Sequence, residues 1–143
     1  MTRTALDTSV LVAAVQSWHD EHDRALEAVS RALEDAPVVV PLHVLLEAYS
    51  VLTRMPKPLR LSPESAFALL DRTLRGKAEV VSPDGHAAFG LLEGFRDRGI
   101  TGGAVYDAVI AEVAFQAGAR VLLTLNPQHF ERLAPEGLEI AEP

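Results

Sequence analysis

Thr4-Ala5-Leu6-Asp7-Thr8-Ser9-Val10-Leu11-Val12 reads as a short buried strand running into an apolar helix, with the chain's first acidic side chain at the junction. A carboxylate placed there stands at the carboxyl end of a strand, where an open parallel sheet keeps its ligand crevice. The same spot receives a helix amino terminus, so Asp7 could equally be a cap that accepts a hydrogen bond from an unpartnered amide. The rest of the chain bears on that choice, because further polar residues recur in apolar sequence at positions such a sheet brings beside Asp7.

Outward from this stretch, strand and helix signals alternate. Ser9 to Gln16 continues the apolar helix, and Ser17-Trp18-His19-Asp20 interrupts it. Ala25, Leu26, Val29, Ala32 and Leu33 then recur at helical spacing, with Glu27, Arg31 and Glu34 turned away, which predicts an amphipathic helix up to about Asp35. Val38-Val39-Val40 lacks alternation, as expected of a strand buried on both faces. Pro41 suits the start of a helix from Leu42 to Arg54, and Ser62-Pro63-Glu64 caps another through Phe67, Leu70 and Leu74 to Gly76. Glu79-Val80-Val81 predicts a strand, and Ser82-Pro83-Asp84 caps a helix carrying Phe89, Leu91, Leu92 and Phe95 on its apolar side until Gly99. Val105 to Gln116 is a nearly all-apolar helix around Asp107, Arg120 to Thr124 a strand, Asn126-Pro127 the start of a short helix, and Leu138-Glu139-Ile140 an edge strand. Alternation of this kind calls for an α/β fold of three layers, with a mostly parallel sheet and helices on both faces.

The 143 residues suit one domain spanning 1–143, and 48% hydrophobic composition with a mean hydropathy of +0.13 describes a folded chain. Without cysteine there is neither a disulfide frame nor a thiolate metal site, so any ion must be held by oxygen or histidine. The start of the chain lacks a signal-peptide core and no apolar run reaches membrane-spanning length, which predicts a cytoplasmic protein with no membrane partner. A net charge of −7 argues against simple coating of nucleic acid. Between Thr53 and Lys77, however, six basic residues face two acids, and Arg54, Lys57 and Arg60 form either a phosphate-facing patch or a solvated surface.

Asp7, Glu47 and Asp107 each interrupt apolar sequence, in Leu45-Leu46-Glu47-Ala48-Tyr49 and Val105-Tyr106-Asp107-Ala108-Val109 for the latter two. A buried carboxylate costs several kcal/mol unless it is paired or bound to a cation. If the three meet within one coordination sphere, their repulsion demands a divalent ion, and hard oxygen donors favour Mg²⁺ or Mn²⁺. The bland alternative pairs Glu47 with a distant arginine and leaves Asp107 in a helix turn. Asn126, just past a strand, is either a fourth member of the cluster or only a helix cap. The five histidines read as surface or helix-end residues, with His43 set apart because it lies one turn before Glu47. Neither a dinucleotide fingerprint nor a Walker A sequence occurs.

Taken together, four segments resemble the PIN-domain ribonucleases, and among them the VapC-type toxins of bacterial toxin–antitoxin pairs. They are Ala5 to Val12, Leu46-Glu47, Gly102-Gly103-Ala104-Val105-Tyr106-Asp107-Ala108-Val109-Ile110-Ala111, and Leu122-Leu123-Thr124-Leu125-Asn126-Pro127-Gln128-His129-Phe130. The likeness covers essentially the whole chain and implies a PIN-like α/β/α fold with about five strands. It further implies a Mg²⁺-dependent endoribonuclease in which Mn²⁺ can substitute, cutting RNA with water to leave a 5′-phosphate and a 3′-hydroxyl. By the resemblance, Asp7, Glu47 and Asp107 are the metal-binding acids and Thr8, Ser9 and Thr124 supply supporting hydroxyls. Asn126 departs from the acid that many members carry there, which puts a second metal position in doubt. The resemblance also implies a homodimer and a cognate antitoxin, for which the first two helices, joined near Trp18, are the candidate groove. A receiver-like Mg²⁺-binding signalling module and an inactive PIN fold acting as a binding protein are the alternatives.

Overall fold

The computed structural model describes residues 2–143. Its strands are β1 (Thr4–Leu6), β2 (Val38–Pro41), β3 (Ala78–Val81), β4 (Val121–Leu123) and β5 (Glu139–Ala141). Its helices are α1 (Thr8–Val15), α2 (His22–Asp35), α3 (Leu42–Arg54), α4 (Pro63–Leu74), α5 (Ala88–Arg98) and α6 (Ala104–Gln116). The strands form one all-parallel sheet in the order β3-β2-β1-β4-β5, with β5 at an edge as expected. From β1 the chain steps outward through β2 to β3, then returns to the other side of β1 for β4 and β5. The order therefore reverses between β1 and β4, and a crevice opens at the carboxyl ends of strands flanking such a switch point. Right-handed crossovers put α1 to α4 on one face and α5 and α6 on the other.

Leu6 lies opposite Leu123 in the sheet, and the Asp7 amide donates to the Leu123 carbonyl at 2.9 Å. Asp7 and Thr124 thus leave the sheet side by side. Val38, Val39 and Val40 are fully buried, and α1 is buried from Val10 to Ala14, so the apolar runs without alternation are the innermost elements. Around them Leu11, Leu52, Ile110, Leu122 and Phe130 fill the core. The Ser62 hydroxyl accepts from the Ser65 amide at 3.1 Å, capping α4, while α5 stops where Gly99 turns left-handed at φ 67°.

Three expectations change. Leu26 is exposed on α2, because the stripe that meets the sheet is centred on Ala25 and Val29. The helix after Asp84 begins as a 3-10 turn, Gly85–Ala87, and of its four large apolar residues only Phe95 is buried, with Phe89 77% exposed. Helical spacing shows that residues share a face, and α5 packs through Phe95 and the partly buried Leu91, leaving Phe89 and Leu92 exposed. The helix expected after Asn126 is a single 3-10 turn, Pro127–His129, pinned by buried Phe130.

Candidate active site

Asp7 is 7% exposed and occupies the cap position of α1, yet its side chain caps no amide. Its Oδ2 instead accepts from the Ser9 hydroxyl at 2.9 Å and the Thr124 hydroxyl at 2.8 Å. Each hydroxyl is itself fixed: Ser9 Oγ accepts from the Leu125 amide and Thr124 Oγ1 from the Asn126 amide, both at 3.0 Å. The loop after β4 is thereby tied to the first turn of α1, and one edge of the carboxylate is committed while Oδ1 takes neither hydroxyl. Thr8 does not join this arrangement. The turn into α1 carries its side chain into the protein, where Oγ1 is buried without a partner, so the support expected of it is not seen.

Glu47 lies on the second turn of α3, which begins at the carboxyl end of β2. Its Oε2 stands 2.9 Å from Nε2 of His43, one turn earlier, and not beside a distant arginine. The His43 ring stacks on Tyr106, with centroids 5.1 Å apart and planes 9° from parallel. Since Tyr106 precedes Asp107, that stack joins the helix bearing one acid to the helix bearing the next.

Asp107, in the first turn of α6, has its carboxyl pushed above the usual carboxylate value by burial first and by the Asp7 charge second. His129 opposes the shift, Glu47 adds to it, and His43 opposes it. Asp107 therefore senses both other acids, and the three occupy one corner of the molecule. They do not close into a cage: among the described residues, no three His, Asp or Glu side chains are arranged to hold a metal ion. Like charges repel, and Glu47 is turned to His43. Asn126 sits at the start of the 3-10 turn, but its side chain makes no capping hydrogen bond.

Arg54, Lys57 and Arg60 do not line the cleft that contains Asp107. The helix α3 runs away from the acids, so Arg54, seven residues past Glu47, lies roughly 10 Å further along the axis. A basic side chain that the sequence reading did not single out stands nearer: Arg132, with Gln128 and His129, lines a cleft of about 280 Å³ that also contains Asp107. The legible signal was their spacing, since residues three apart after a strand's carboxyl end share one face.

Chemically, the corner offers carboxylate, amide and imidazole donors and no thiol. Repulsion that already lifts Asp107 is the kind of cost that a hard divalent cation removes, so the donor set fits Mg²⁺ or Mn²⁺.

The family described as PIN domain matches residues 4–135. The chain is 38% identical over 119 residues to Ribonuclease VapC40 of Mycobacterium tuberculosis, covering 82% of this chain and 83% of the relative. Its fold is similar to VapBC2 from Rickettsia felis, bound to a DNA fragment from their promoter, with TM-score 0.67, 21% identity and 99% of each chain covered. It is also similar to Mycobacterium tuberculosis VapC20, a Sarcin-Ricin loop cleaving toxin, with TM-score 0.63, 19% identity and coverage of 83% and 86%.

Proposed function

The chain belongs to the PIN domain family, and from that premise we propose that it is a Mg²⁺-dependent endoribonuclease, the toxin of a toxin–antitoxin pair. The observation that supports this reading is the raised carboxyl of Asp107, which burial lifts first and to which the charges of Asp7 and Glu47 both add. These three would hold the ion, and Mn²⁺ would substitute. A bound divalent ion supplies an acidified water and positive charge for the scissile phosphate. The chain's own part is orientation. Ser9 and Thr124 fix one edge of Asp7, His43 holds Glu47, and Tyr106 backs the His43 ring. Asn126 offers an amide oxygen without charge.

Defined single-stranded and hairpin RNAs are the test. Cleavage is expected with Mg²⁺ or Mn²⁺ and not in EDTA; cleavage that persists in EDTA, or none with any cation, overturns the proposal.

Asn126 gives a finer expectation. Asn126→Asp adds one negative charge beside the others and should lower the Mg²⁺ needed for half-maximal cleavage by roughly tenfold, about 1.4 kcal/mol. The same charge adds repulsion, so the metal-free protein should melt lower. Calorimetric titration of Mn²⁺ is expected to show one tight site in the wild type and a second in the variant. Two tight sites in the wild type, or no change on substitution, would leave Asn126 outside the metal site.

An antitoxin would dock on exposed apolar surface, as would a second copy in a homodimer. Of the first two helices α1 is buried, so their exposed apolar surface is Trp18 at the junction and Leu26 on α2. The larger apolar surface follows α3, α4 and β3, where Leu45, Leu46, Tyr49, Phe67 and Leu70 line a groove of about 430 Å³. That groove is the better seat for an antitoxin helix laid in by its apolar face. No helix among the described residues is long and apolar enough to cross a membrane.

A further inference from the structure

The cleft beside Asp107 is not accounted for by the acids. It lies between the first turn of α6 and the turn after β4, walled by Ala104 and Asp107 on one side and by Gln128, His129, Arg132 and Leu133 on the other. Its second wall is firmly placed. Phe130 and Leu133 are buried, and Arg98 donates to the carbonyls of Arg132 and Leu133 at 3.1 and 3.2 Å. The Arg132 side chain, by contrast, is uncommitted: among the described residues its guanidinium has neither a hydrogen-bond acceptor nor an ion-pair partner. In a chain of net charge −7, Arg3, Arg24, Arg31, Arg75 and Arg96 are all paired with carboxylates. Asp107 shares the cleft and still does not pair with Arg132, so this cation is not used to neutralise the acid cluster.

A fixed segment presenting a free guanidinium, an imidazole and an amide to one cleft is a donor set for an anion. Guanidinium forks match phosphate oxygens, and amide and imidazole N–H groups complete such a contact. We propose that this cleft binds a phosphodiester group flanking the one that is cleaved, with Arg132 as the principal donor and Gln128 and His129 beside it. The proposal rests on the RNA-cleaving reading above for its ligand. It explains how an acidic protein engages RNA without a basic face: the attraction is local, set next to the acids rather than at Arg54 to Arg60.

The experiment measures binding without cleavage. Anisotropy of a labelled single-stranded RNA in EDTA is followed against salt for the wild type, Arg132→Gln and Arg132→Lys. Losing one phosphate contact should flatten the slope of log affinity against log salt by about 0.7, whereas Arg132→Lys should keep the slope. A set of the same RNA with one neutral methylphosphonate linkage, moved along the strand, locates the contact. One position should weaken the wild type and leave Arg132→Gln unaffected. Mn²⁺ titration should give equal affinities for wild type and Arg132→Gln.

Equal salt slopes, matching methylphosphonate profiles, or no binding by the wild type would overturn the proposal. So would a tenfold loss of Mn²⁺ affinity in Arg132→Gln, which would make Arg132 a support for the acids. Loss of the nuclease reading shows differently, as RNA bound with the Arg132 signature but uncut under any cation.

Discussion

Asp107→Asn should reduce Mg²⁺-dependent cleavage by roughly 10²–10³-fold while the metal-free protein melts at a higher temperature. On the proposed function the activity loss is the removal of one of three charges that would hold the cation, an electrostatic contribution of several kcal/mol at about 1.4 kcal/mol per tenfold. The stability gain follows from the raised carboxyl of Asp107, whose causes are burial first and the Asp7 charge second. An acid whose folded-state pKa is raised binds its proton more tightly when folded. It therefore favours folding at low pH, and that advantage is lost as pH rises from the ordinary carboxylate range through the shifted value. An asparagine has no proton to lose. Melting curves in EDTA should thus coincide for the two proteins below the carboxylate range and separate above it, with the variant higher. A variant that melts lower at neutral pH, or that cuts RNA as fast as the wild type, would assign Asp107 a structural role.

Much of this arrangement is legible in the sequence because burial leaves strong marks. Val38-Val39-Val40 announces a strand covered on both faces, and Val105 to Gln116 a nearly all-apolar helix in which Asp107 must have a reason to be there. The position of Asp7 at a strand-to-helix junction identifies the crevice, and His43 one turn before Glu47 identifies the pair. What the sequence hides is where each surface ends. Spacing gathers Phe89, Leu92 and Phe95 on one face of α5 without revealing that the protein covers only the last of them. The resemblance assigns Thr8, Ser9 and Thr124 alike as supporting hydroxyls, whereas the turn into α1 brings Ser9 and not Thr8 to Asp7. Charge density draws attention to Arg54, Lys57 and Arg60, of which α3 carries Arg54 roughly 10 Å along its axis from Glu47. His129 and Arg132, modest in number, share the cleft of Asp107 because their turn follows β4 at the switch point.

Thr124→Val should weaken Mn²⁺ binding and cleavage by about 10- to 100-fold, the range typical of a residue that orients a metal ligand. Thr124 is 0% exposed, and its hydroxyl makes two contacts at once, donating to Asp7 Oδ2 at 2.8 Å and accepting from the Asn126 amide at 3.0 Å. Valine fills nearly the same space and makes neither. Asp7 would keep only the Ser9 hydroxyl, so its carboxylate could rotate away from Asp107, and the Asn126 amide would lose its acceptor. The Asn126 amide is only part-buried, so losing its acceptor costs about 1 kcal/mol and the metal-free melting temperature should fall by a few degrees. Stability and metal affinity fall together here, unlike in Asp107→Asn, where the acid itself is removed and its repulsion with it. Thr124→Ser retains the hydroxyl and should recover most of the Mn²⁺ affinity, whereas a rescue by Thr124→Val itself, with wild-type titration and melting curves, would show that Asp7 is held without this bond.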